Sequence, residues 1–84
     1  MASVKVYGAD WCSMTKSALK YLEQLGVEYE YINIDQDRKA AQWVAAQNDG
    51  KEKKPTIDID GEILSEPPSG LLERVLKEKG LLSR

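Results

Sequence analysis

The sequence predicts an α/β fold of order β-α-β-α-β-β-α, a four-stranded mixed sheet flanked by three helices. Three observations lead to it. Two short β-prone runs bracket a stretch with helical spacing, and a strand-helix-strand unit brings its two strands together in parallel. Further on, an Asp-Gly dipeptide separates two apolar runs in the pattern of a tight hairpin, whose strands are antiparallel. Residues 1–84 are also expected to form a single domain. Domains mostly run to about 100 to 150 residues, and one this small buries only about 60% of the surface its unfolded chain exposes, so its core has to be compact and regular.

The first strand is Val4-Lys5-Val6-Tyr7, stopped by Gly8. From Ser13 the period changes: Met14, Ala18, Tyr21, Leu22 and Leu25 follow one another at helical intervals and define a stripe, and Gly26 ends the helix as its C′ residue. Tyr29 to Ile34 is aromatic and β-branched and reads as the second strand, with Asp35 or Asp37 available to cap the next helix. Ala40, Ala41, Val44 and Ala45 line that helix, which Asn48 to Gly50 terminates. Thr56-Ile57-Asp58-Ile59 alternates, Asp60-Gly61 suits a two-residue turn, and Ile63-Leu64 resumes the apolar character. After Pro67-Pro68, Ser69 is expected to cap a last helix with Leu72, Val75, Leu76 and Lys79 on one face and Gly80 at its end.

Composition removes several function classes. Twelve basic and fourteen acidic residues give a net charge of -2 with the signs interspersed, which does not suit nucleic acid. With no histidine and one cysteine, the usual intrachain zinc sets and a Cys-His catalytic pair are excluded, and no metal site is expected. One cysteine closes no internal disulfide, which points to a reducing compartment. The start, Met1-Ala2-Ser3-Val4-Lys5-Val6, lacks a basic segment followed by an apolar one, and no apolar run approaches the roughly 20 residues of a spanning helix. A soluble cytoplasmic protein without membrane contact, and a monomer, is expected. Gly50-Lys51 lacks the upstream glycine of a phosphate loop, and Ala18 stands where a cysteine phosphatase needs arginine.

Chemistry then rests on Cys12, in the turn between the first strand and the first helix. A sulfur there lies beside the free N–H groups of the helix start, and thiols so placed fall from a pKa of about 8.5 to between about 3.5 and 7.5. Trp11 and Met14 flank it with apolar surface, and Lys16 adds a cation. The plainer alternative is a small buried hydrophobe, for which a strand-end turn is a poor setting. Trp43 reads as packing, and Lys51-Glu52-Lys53-Lys54 as a solvated loop whose last members lie near the site.

The chain resembles the glutaredoxins, which have a thioredoxin-like fold. Val4-Lys5-Val6-Tyr7, Trp11-Cys12-Ser13-Met14-Thr15-Lys16, Leu25-Gly26-Val27 with Tyr29, Lys54-Pro55-Thr56-Ile57 and Asp60-Gly61 fall in that family's order and intervals. Arg38-Lys39-Ala40-Ala41 ahead of Asn48-Asp49-Gly50, and Glu66-Pro67-Pro68-Ser69 after the last strand, look most like the short mycoredoxin-like and NrdH-like members. The resemblance implies that Cys12 is the nucleophile and that Pro55 is the cis-proline facing it. Without the resemblance, Pro55 reads as a strand-starting proline. A cis bond would present the Lys54 backbone to an extended thiol peptide. Trp11, Ser13, Met14, Lys54, Pro55, Glu66 and Ser69 are the implied small-thiol contacts.

Two departures shape the function. Thr15 stands where dithiol members carry their second cysteine, so turnover has to be monothiol; its hydroxyl either serves the Cys12 sulfur or belongs to an ordinary first-turn residue. Ser65-Glu66-Pro67-Pro68-Ser69 replaces the Gly-Gly turn of many glutathione pockets, which leaves glutathione, mycothiol, bacillithiol or a protein thiol as the partner. The leading expectation is a monothiol thiol-disulfide oxidoreductase that reduces mixed disulfides between proteins and small thiols. Its rivals are a [2Fe-2S] carrier, in which two copies each supply Cys12 and a small thiol, and a redox-inactive adaptor using Trp43 and the lysine run as contact surface.

Overall fold

A computed structural model describes residues 3–82. The expectation that no targeting segment is present rests partly on Met1 and Ala2, which lie outside the described residues. The elements follow the expected order: β1 (Val4–Gly8), α1 (Ser13–Gln24), β2 (Glu30–Asn33), α2 (Arg38–Gln47), β3 (Thr56–Ile59), β4 (Glu62–Ser65) and α3 (Ser69–Glu78). The sheet order is β2-β1-β3-β4, with β1 parallel to β2 and antiparallel to β3, and β3 antiparallel to β4.

Alternation along β1 builds a core on each face of the sheet. Val4 and Val6 pair with Ile59 and Ile57 and share a cluster with Leu22 of α1 and with Leu72, Val75 and Leu76 of α3. Tyr7 faces the other way, towards Ile34 and towards Ala41, Val44 and Trp43 of α2. The Tyr7 and Trp43 rings lie 4.6 Å apart between centroids, so Trp43 is a packing residue. Among the described residues no helix is long and apolar enough to cross a membrane.

Local chemistry sets the element ends. Gly26, at φ +72°, lets the N–H groups of Gly26 and Val27 return to the carbonyls of Glu23 and Leu22, which closes α1; Gly80 and Leu81 make the same pair of bonds to Lys77 and Leu76. The hairpin turns on Asp60 and Gly61, both left-handed as a type I′ turn requires. Of the two aspartates before α2 it is Asp37 that caps, its Oδ1 accepting from the Ala40 N–H at 3.0 Å.

Four expectations need correction. Met14 shares the helical stripe of α1 by spacing and is also expected as apolar surface beside Cys12; it leaves the stripe, being 49% exposed, because Thr15, three residues before Ala18 and seven before Leu22, is the inward residue of the first turn at 1%. Ser69 does not cap α3: the Leu72 N–H already bonds the Pro68 carbonyl, which makes Pro68 the N-cap and Ser69 the first helical residue, with no side-chain cap. The second strand is shorter than Tyr29–Ile34, since its ladder with β1 runs only from Glu30 to Asn33. Lys79 is an exposed C-cap rather than part of the apolar face, its ammonium 3.8 Å from Glu62 at the hairpin.

Candidate active site

Gly8 ends β1, and residues 9–12 turn the chain into α1 so that Cys12 becomes the N-cap, with extended backbone at φ -82° and ψ 117°. Its carbonyl accepts from the Lys16 N–H at 3.1 Å, while its own N–H donates to the Ala9 carbonyl at 3.1 Å. Two side-chain bonds tie this turn to the β2 side of the sheet. The Tyr31 hydroxyl donates to Asp10 at 2.7 Å, and the Trp11 indole N–H donates to Asp35 at 2.7 Å. Trp11 is 68% exposed despite that bond, so its ring stands beside the sulfur as a fixed apolar surface.

Cys12 is half-buried, and burial by itself raises its pKa. The opposing contributions are larger in sum: the Thr15 hydroxyl, the backbone N–H groups of Thr15 and Met14, and the Lys54 ammonium all favour the thiolate, so the thiol lies below its ordinary value. Thr15 is well arranged for this. The Ala9 N–H donates to its Oγ1 at 3.4 Å, which leaves the hydroxyl proton free to point at sulfur. Thr15 also fits closely under the end of β1, where a methyl group on Gly8 would meet its Cγ2 and Oγ1 at 2.5 Å.

The facing wall comes from the segment entering β3. The Lys54–Pro55 peptide bond is cis, and the Cys12 thiol points at the Lys54 carbonyl, 3.9 Å away. The Lys54 ammonium lies 5.5 Å from the centre of the Trp11 ring and donates to the Glu52 carbonyl at 3.1 Å. Glu66 adopts a left-handed backbone (φ +48°), and its N–H returns to the Pro55 carbonyl at 2.7 Å, joining the end of β4 to this wall.

Two clefts flank the sulfur. One, of about 410 Å³, is lined by Trp11, Cys12, Lys54 and Glu66 together with Lys51 to Lys53. The other, of about 200 Å³, is lined by Ser13, Met14, Pro55 and Ser69 with Tyr21, Pro67 and Leu72. The implied small-thiol contacts therefore all border one cleft or the other and Thr15 is buried in the first turn of α1, whereas Lys16, expected as the cation beside the sulfur, lines neither cleft, and the cation that favours the thiolate is Lys54 instead. Sequence reasoning missed the parts of Asp35 and Asn48. It took the first for a cap and the second for a helix terminator, and neither the indole bond nor the burial of the amide leaves a periodic signal.

The glutaredoxin family model matches residues 4–64. Mycoredoxin 1 of Corynebacterium glutamicum is 44% identical over 57 residues, covering 68% of this chain and 70% of that protein. Among solved structures, the glutaredoxin of Archaeoglobus fulgidus superposes with a TM-score of 0.80 at 24% identity, covering 92% of this chain and 88% of that one. NrdH-redoxin from Escherichia coli gives 0.76 at 22% identity, covering 86% and 92%. At these identities the structural likeness establishes the thioredoxin-like fold.

Proposed function

The chain belongs to the glutaredoxin family of thiol-disulfide oxidoreductases, and we propose that it acts as a monothiol member that reduces mixed disulfides between proteins and a low-molecular-weight thiol. The observation that carries this reading is the setting of Cys12. The single thiol of the chain sits at a helix start, its pKa lowered against burial by the Thr15 hydroxyl and two backbone N–H groups, and it faces the Lys54–Pro55 wall across an open cleft.

The Cys12 thiolate attacks the small-thiol sulfur of the mixed disulfide. The protein sulfur leaves as a thiolate and takes a proton from solvent, and Cys12 keeps the small thiol in a new disulfide. A second small thiolate then attacks the captured small-thiol sulfur, releasing a symmetrical small-molecule disulfide and the Cys12 thiolate. Backbone groups of Lys54 offer an extended peptide strand-like hydrogen bonds during the first step. Because no side chain caps α3, the free N–H groups of its first turn suit a carboxylate of the small thiol. Such a single-thiol cycle needs a reducing compartment, which fits a cytoplasmic protein.

Purified protein is tested with peptides bearing one cysteine as its mixed disulfide with glutathione, mycothiol or bacillithiol, with Cys12→Ser as control. Release of peptide thiol by the wild type with at least one of the three, and none by Cys12→Ser, is the expected result. Transfer with none of them, with Cys12 unreactive to alkylation, would move the weight to the adaptor reading. A brown dimer from anaerobic purification would favour the [2Fe-2S] carrier.

A further inference from the structure

Asn48 closes α2 and is only 9% exposed, yet its side-chain amide is fully engaged. Its Nδ2 donates to the Val44 carbonyl at 2.8 Å and to Thr56 Oγ1 at 3.3 Å, and its Oδ1 accepts from the Ser65 hydroxyl. The Val44 carbonyl can only accept, which fixes the orientation of the amide. Thr56 passes the connection on, its hydroxyl donating to the Lys53 carbonyl at 2.9 Å. The Asn48 carbonyl in turn accepts from the Lys51 N–H at 3.1 Å. The loop between α2 and β3 is thus held at both ends by one residue, and Ser65 brings in the strand end next to Glu66. That loop supplies the carbonyl and the ammonium of Lys54, the groups that face the sulfur.

We propose that Asn48 is a positioning residue for thiol transfer, holding the Lys54–Pro55 wall at the distance from Cys12 at which an extended mixed-disulfide peptide can be aligned. This rests on the monothiol reading above. The groups that stabilise the thiolate come mainly from α1, on the other side of the sulfur, and Lys54 is the smallest contributor. Nucleophile activation and substrate alignment therefore have separate supports, and disturbing Asn48 should affect the second far more than the first.

The test measures steady-state kinetics with whichever of the three mixed-disulfide peptides the wild type turns over fastest, and the pH profile of Cys12 alkylation by iodoacetamide. For Asn48→Ala the expected result is a KM raised about tenfold, the effect of one to two lost hydrogen bonds, with kcat nearly constant and the alkylation profile in place. Thr56→Val should raise KM in the same way and Thr56→Ser should restore it. The Asn48→Ala/Thr56→Val pair should do no more harm than the worse single change, because both break one connection. If Asn48→Ala does not fold, Thr56→Val and Ser65→Ala give the same readout. Unchanged KM in the folded variants, independent multiplication of the two effects, or a KM rise accompanied by a shifted alkylation profile would each overturn the proposal. A wild type without transfer overturns the monothiol reading and this proposal together, whereas an active wild type with unaffected variants overturns this proposal alone.

Discussion

Replacing Gly8 by alanine tests the packing that places Thr15 under the sulfur. The new methyl group would stand 2.5 Å from Thr15 Cγ2 and Oγ1 and 3.0 Å from its Cβ. Non-bonded carbons prefer about 3.5 to 4.0 Å, so the contact is roughly an ångström too short. Gly8 and Thr15 are both buried, so neither can turn into solvent, and the end of β1 has to move away from the first turn of α1. Overpacking of this kind costs about 1–3 kcal/mol. At about 4–8 °C per kcal/mol for a domain of this size, Tm should fall by about 5–20 °C. Urea unfolding followed by tryptophan fluorescence gives the loss directly, provided the slope m stays constant. Thr15→Ala removes the two nearest clashing atoms, so the Gly8→Ala/Thr15→Ala double variant should be more stable than the sum of the single effects by at least about 1 kcal/mol, within the range for residues in contact. Additivity within about 0.5 kcal/mol, or a Gly8→Ala protein as stable as the wild type, would refute the close fit.

Four further outcomes follow from the same geometry. Thr15→Val keeps the volume but loses the hydroxyl, so the pH profile of Cys12 alkylation should move to higher pH, and Thr15→Ser should bring it back; an unmoved profile would leave the backbone N–H groups as the main support of the thiolate. Because the folded thiol lies below its ordinary value, the unfolded chain binds more protons at Cys12 between that lowered value and about 8.5. The stability of the wild type relative to Cys12→Ser should therefore be greatest above this window and should be lost as pH falls through the folded pKa, and urea midpoints at the two extremes check the sign. Asp37→Ala should cost about 1 kcal/mol by uncapping α2, seen as a lower Tm. Asp35→Ala should spare that helix and change the emission of Trp11, whose indole partner it removes.

The elements were legible where one local rule decides them. The spaced Val4 and Val6 and the alternating Ile57 and Ile59 marked β1 and β3, Asp60-Gly61 marked the turn, and Gly26 and Gly80 marked two helix ends. Errors arose where a tertiary contact outranks the local pattern. Met14 has the hydrophobicity and spacing of a core residue, but the first turn of α1 rests on Gly8, where there is room for Thr15 and a polar group serves the sulfur. Ser69 is a good capping residue displaced by one position because the carbonyl of Pro68 already accepts the first helical bond. At the site, Cys12 could be named from its place in the chain, and Thr15 from the resemblance to the glutaredoxins. Asn48 could not, since its four partners come from two strands, a loop and the preceding turn of its own helix.

The way Cys12 is activated bears on how a single thiol can turn over. In the proposed cycle the same sulfur attacks in the first step and leaves in the second, with no neighbouring cysteine to discharge it, because Thr15 occupies that position. A lowered pKa works in opposite directions on the two steps: it reduces intrinsic nucleophilicity, with a Brønsted coefficient of about 0.4–0.5, and it speeds departure. Below the ordinary thiol pKa the loss in attack is offset by a larger thiolate fraction, whereas the gain in departure is kept in full. On the proposed cycle Thr15 replaces the missing cysteine in an energetic sense, since its hydroxyl favours the charged form of the sulfur that would leave when an external thiol arrives. That support is mostly a hydroxyl and two backbone N–H groups at short range rather than an exposed ion pair, so salt, which screens exposed charges more than a Debye length apart, leaves it largely untouched.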